Sequence, residues 1–139
     1  MNRLFLILIL ALIGCSGGSK PTLGDYVGKN QSPAEQEIIE KAINSTGLMK
    51  AIVRGDVPAA RQLIFSGVDV NENVSGSNEN PITPLLAAAV VAQDGIVQDL
   101  LSAGASNSIT YRGYRVLDFA LLQKAKFTPV TIRLLTESR

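Results

Sequence analysis

Histidine, the side chain that most readily moves protons at neutral pH, is absent from this 139-residue chain. Ser-His-Asp and Cys-His nucleophiles and histidine metal ligands are absent with it. Cys15 is the one cysteine, too few thiolates for a structural zinc site. A carboxylate pair is the remaining route to acid–base chemistry, and Asp94 with Asp99 is the nearest candidate. Asp94 stands in a turn ahead of an apolar-periodic run, where a carboxylate complements a helix N-terminus. Asp99 falls off that run's apolar stripe, on the solvated side. Two further spacings imitate ligand loops. Gly24-Asp25-Tyr26-Val27-Gly28-Lys29-Asn30 is one residue short of a phosphate loop, ends in asparagine and follows no strand. Asp69-Val70-Asn71-Glu72-Asn73 starts like a calcium loop, but Val74 stands where glycine is required and Asn80 where a bidentate glutamate belongs. No catalytic residue, metal ligand or cofactor is therefore expected. The remaining chemistry is recognition: Tyr111, Arg112, Tyr114 and Arg115 cluster around Gly113, and tyrosine and arginine are enriched in binding hot spots. Of the three tyrosines only Tyr26 lies elsewhere.

The elements that would carry this cluster are short helices in pairs. Thr83 can cap a helix whose first turn contains Pro84, where a missing N–H costs nothing. Leu85, Ala88 and Ala89 fall on one face of it. A second helix repeats apolar residues at Ile96, Val97, Leu100 and Leu101, and Gly104 stops it in the left-handed C′ position. A backward shift of 37 positions carries Thr83, Leu85, Ala88, Ala89, Leu100, Leu101 and Gly104 onto Thr46, Leu48, Ala51, Ile52, Leu63, Ile64 and Gly67. Gly55-Asp56 supplies the turn inside that earlier unit. A forward shift of 32 carries Leu85, Ala88 and Ala89 onto Leu117, Ala120 and Leu121. After two extra residues near 124–127, a shift of 34 aligns Ile96, Leu100 and Leu101 with Val130, Leu134 and Leu135.

The opening Thr83-Pro84-Leu85-Leu86-Ala87-Ala88 and the exit Gly67-Val68-Asp69-Val70-Asn71 resemble the ankyrin repeat. The resemblance implies an all-α fold over residues 32–139: a short ankyrin-repeat solenoid of about three helix-turn-helix units with an N-terminal capping helix. Such units bury one side only and need neighbours. Leu86 and Asp118 depart from the family's first-helix histidine, and Ala92 from its turn glycine. Ser32-Pro33-Ala34-Glu35 forms a capping box. Ile38, Ile39, Ala42 and Ile43 follow as one stripe, so a helix here is expected to cover the open side of the first unit.

Upstream, Met1-Asn2-Arg3 is a basic start and Leu4 to Ile13 is unbroken apolar sequence. That run is too short to cross a hydrocarbon core of about 30 Å as a helix, and it reads as a cleaved signal peptide over residues 1–14. Leu12-Ile13-Gly14-Cys15 resembles a bacterial lipobox, which implies that Cys15 is acylated. Multiple acyl chains give stable anchoring. Ser16, in place of the aspartate that retains lipoproteins at the inner membrane, favours the outer membrane, with the domain facing the periplasm. Residues 15–31 then form a Gly- and Pro-punctuated tether whose typical reach is on the order of 20 Å.

A formal charge of +1 provides no field for nucleic acid. The expected function is binding, by a monomer, of a periplasmic or envelope protein. In the ankyrin family, loops between units and the exposed faces of first helices line a concave groove. Carried over, this implies partner contacts at Glu79, Asn80 and Ile82 in a first finger spanning residues 72–82. It adds Val90, Val91 and Gln123 on the helical face, and Tyr111, Arg112, Tyr114 and Arg115 in the second finger. Small ankyrin lipoproteins resemble periplasmic immunity partners of delivered toxins, so the partner is expected to be a protein such as a toxin or a periplasmic enzyme. The alternatives are an adapter or stress-protective scaffold for a periplasmic enzyme and, far behind, a hydrolase.

Overall fold

The computed structural model describes residues 32–45 and 47–137, apart from the side chain of Lys124. The signal peptide, Cys15, the tether and Thr46 lie outside the described residues. Seven α-helices and one two-stranded hairpin make up the described chain: α1 (Pro33–Ile43), α2 (Leu48–Arg54), α3 (Val57–Phe65), α4 (Pro84–Val90), α5 (Asp94–Ser102), β1 (Thr110–Tyr111), β2 (Tyr114–Arg115), α6 (Val116–Leu122) and α7 (Pro129–Glu137). A 3-10 turn, Lys124–Lys126, separates the last two helices. The fold is predominantly helical, as expected.

Local signals set the helix ends. Ser32 Oγ accepts from the Glu35 N–H at 3.3 Å while the Glu35 carboxylate accepts from the Ser32 N–H at 2.7 Å. This is the expected capping box. Thr83 Oγ1 accepts from the Leu86 N–H, and Pro84 occupies the first turn of α4. Asp56 caps α3 by accepting from the Ala59 N–H. Gly55, with φ +74°, ends α2 in the left-handed region, where a Cβ would be strained.

The helices form three pairs, α2/α3, α4/α5 and α6/α7, in two layers. The first helices α2, α4 and α6 are neighbours in one layer, and the second helices α3, α5 and α7 in the other. Every residue of α4 is buried. Its three alanines, Ala87 to Ala89, allow close approach on all sides. Polar joints reinforce the stacking of the second layer. Arg61 of α3 donates to Asp99 of α5 at 2.8 Å, and Gln98 of α5 donates to Thr131 of α7 at 2.8 Å. Asp94 accepts from the Thr128 N–H at 3.0 Å, fixing the start of α7.

Two expectations about packing need correction. Helix α1 does not simply cover the open side of the first pair. It lies against both α2 and α4, with Ile38, Ile39 and Ala42 fully buried. An apolar stripe seeks the largest apolar surface in reach, and α4 offers an all-apolar sequence. The third pair is also turned relative to the sequence register. Ala120 and Leu135 are buried as the register expects, but Leu121 and Val130 are exposed, and Val116, Phe119 and Thr131 point inward. The Thr131–Gln98 and Thr128–Asp94 bonds dictate which face of α7 meets α5.

Candidate interaction site

The second finger is a tight hairpin. Arg112 and Gly113 have φ of +51° and +83°, the pair of positive values that a two-residue type I′ turn requires. Tyr111 and Tyr114 pair directly across it. Alternation along a single extended segment would have separated the two rings; the turn puts them on one face. Both meet the ring of Phe119 edge-on, with centroids 6.3 and 6.2 Å away.

Their exposure differs sharply, at 2% for Tyr111 and 59% for Tyr114. Tyr111 is a support. Its hydroxyl lies near the Glu37 carboxylate of α1, and the phenol is pushed above its usual range. Burial is the main cause, followed by the Glu37 carboxylate and its negative charge, with Arg112 opposing. The Arg112 guanidinium pairs with Glu37 and lies 5.6 Å from the centroid of the Tyr111 ring. Hairpin and first helix are thereby joined at one carboxylate. Arg115 is exposed, and its N–H donates to the Asp118 carboxylate at 2.7 Å, capping α6. Asp118 thus has a structural use.

The first finger is organised by one side chain. Asn73 Oδ1 accepts from the N–H groups of Ser75 and Ile82 and from Ser75 Oγ, while its Nδ2 donates to the Ser77 carbonyl. At the end of this finger Asn80 Oδ1 accepts from the Arg112 N–H at 2.8 Å. Asn80 therefore sets the position of the arginine. Glu79 beside it is exposed.

The remaining expected contacts are corrected by burial. Ile82 and Val90 have no exposed surface, and like Tyr111 they offer nothing to a partner. Val91 is half-buried at the end of α4, and Gln123 donates to the Val90 carbonyl, tying α6 to α4. Of the residues expected to meet a partner, Tyr114, Arg112, Arg115 and Glu79 are exposed, and Asn80, Val91 and Gln123 reach the surface in part.

The structure adds residues that were not singled out. A groove of about 530 Å³ opens between the start of α1 and the face of α6, lined by Ser32, Pro33, Ala34, Arg112, Tyr114, Asp118, Phe119 and Leu122. Leu122 is 67% exposed. Its signal in the sequence is the doubled Leu121-Leu122, one more leucine than a single stripe accommodates. Helix α1 thus lies over α2 and α4, and the groove is open over α6. Apolar walls with an arginine and an aspartate at the rim suit recognition of a side chain. Neither Asp94 nor Asp99 is part of it: both carboxylates are engaged in joints between helices. Among the described residues no helix is long and apolar enough to cross a membrane. No family model matches the chain, and no curated protein matches it.

Proposed function

We propose that this chain is a membrane-tethered ankyrin-repeat lipoprotein that binds a periplasmic or envelope protein. Cys15 carries the acyl anchor, the tether holds the domain near the outer membrane, and the open part of the inner face takes the partner. The reading rests on the motifs around residues 83–105 and their copies. The observation that carries it furthest is the pairing of Tyr114 and Leu122, 59% and 67% exposed, across an open groove. Large side chains of this kind, lining one groove and rimmed by charge, are costly to leave in water and typical of binding anchors. Within this class the favoured role is antagonist or immunity partner of a delivered toxin, with an adapter for a periplasmic enzyme as the alternative. The effect on the captured partner's activity, abolished or preserved, separates them.

The test is capture from envelope extract by the full chain, wild type against Tyr114→Ala with Leu122→Ala. Truncating true anchors costs about 2 kcal/mol or more, so the double variant is expected to hold the same partner at least about tenfold more weakly. Equal retention by both forms rules out this groove as the site.

A further inference from the structure

The charge of the chain is unevenly divided. Residues 32–118 carry ten carboxylates against six basic side chains, whereas residues 119–139 carry Lys124, Lys126, Arg133 and Arg139 against Glu137 alone. The total of +1 therefore conceals a basic third pair on an acidic remainder. That pair also leaves apolar side chains in water, with Leu121 43% and Val130 51% exposed. The segment joining them supplies Ala125, Phe127 and Pro129 to a recess of about 740 Å³, completed by Ile132 and Arg133 of α7. Lys126, between two of these lining residues, is exposed. Arg133 meets Glu137 only at 3.8 Å, with both side chains mostly in solvent, a pairing too weak to neutralise it.

The tether joins the domain at the same pair. Ser32, Pro33 and Ala34 share a groove with Asp118, Phe119 and Leu122 of α6. A tether with a reach on the order of 20 Å therefore holds the third pair close to whatever surface carries the anchor.

We propose that the outer surface of the α6–α7 pair docks on an anionic phospholipid leaflet, with Lys126 and Arg133 over the headgroups and Leu121 and Val130 at the interface. This rests on reading Cys15 as the acyl anchor. Exposed apolar side chains set among lysine and arginine suit an interfacial contact. Each basic residue near an anionic surface adds about a fivefold preference. The same surface repels the acidic remainder, so the domain stands one way up on the membrane.

The test follows the full chain reconstituted in vesicles, carrying a nitrobenzoxadiazole fluorophore on Val130→Cys or on Phe65→Cys. Phe65, in the first pair, is 72% exposed. Acylation of Cys15, the one native cysteine, leaves the introduced thiol as the labelling site. Flotation with neutral phosphatidylcholine vesicles reports the anchor alone. Adding phosphatidylglycerol is expected to blue-shift the Val130 reporter and bring it within reach of a headgroup-borne spin-label quencher, while the Phe65 reporter stays in water. Lys126→Gln with Arg133→Gln should lower the ratio of docked to undocked chain at least about tenfold, and high salt should act in the same direction. Both side chains are exposed, so the double change leaves stability nearly untouched, and circular dichroism checks this. Floating chains whose Val130 reporter ignores phosphatidylglycerol, or whose two reporters respond alike, overturn the docking and leave the anchor and the Tyr114-dependent capture standing. A chain that floats with neither kind of vesicle overturns anchor and docking together.

Discussion

Single side chains here do the capping that the local sequence omits. Helix α2 begins after Gly47, which has no side chain to accept from its free N–H groups. Glu72, from the first finger, brings a carboxylate close enough to that end for the Met49 backbone to favour its charged form. Its pKa is nevertheless raised, first by burial and then by the nearby Asp69, with the Met49 backbone opposing. The sign follows from linkage. A carboxyl whose folded pKa exceeds its unfolded value favours the fold in its protonated form. That contribution is complete below the unfolded value of 4.5 and is lost as pH rises through the higher folded value. Glu72→Gln keeps an acceptor near the Met49 backbone and removes the charge. It should melt above wild type at pH 7 and converge on it near pH 4, as followed by circular dichroism. A lower melting point at pH 7 would show that attraction between carboxylate and helix end outweighs burial. None of this was legible in the sequence, where Glu72 stood as one polar residue in a long finger.

Elements show how far local rules reach. The Ser32–Glu35 box, the Thr83 cap and the left-handed glycines at Gly55, Gly67 and Gly104 were all readable, because each involves residues within one turn. Placement of α1 was not readable: a stripe of isoleucines states that a helix is amphipathic and leaves open which apolar surface covers it. The ion pair of Arg112 depends on a carboxylate from another element, Glu37, and the turn of the last pair depends on Thr131 finding Gln98. One departure from the repeat has a measurable consequence. Ala92 follows α4 where Gly55 follows α2, and it adopts φ +59° against +74° for the glycine. An alanine in that region is strained, and glycine is not. Ala92→Gly should therefore stabilise the fold by about 1 kcal/mol, a rise of a few degrees in Tm. No rise in the thermal midpoint would mean that the added freedom of the unfolded chain offsets the relieved strain.

Across the whole molecule, α4 is the hub: α1, α2, α5 and α6 all pack on it, and none of its residues is exposed. Three short pairs, each with one helix of seven residues, are too short to persist alone as helices in water. Their stability comes from shared surface, so loss at one joint is felt throughout. Leu100 of α5 tests this, since it is fully buried in the middle pair, and α5 touches both α3 and α7. Leu100→Ala removes apolar area and leaves a cavity, costing about 2–5 kcal/mol. Against a total of about 5–15 kcal/mol for a typical domain, that is a large fraction. The pairs should still melt together. Helical circular dichroism and the near-ultraviolet signal, to which the buried Tyr111 contributes, should fall on one curve, displaced to lower temperature. Two separated transitions would mean that the third pair holds without the second, contrary to an arrangement in which α4 and α5 lie between the outer pairs. An unchanged midpoint would mean that the cavity at Leu100 is filled by its neighbours at no cost, and that the close packing around the α4 alanines is looser than their burial implies.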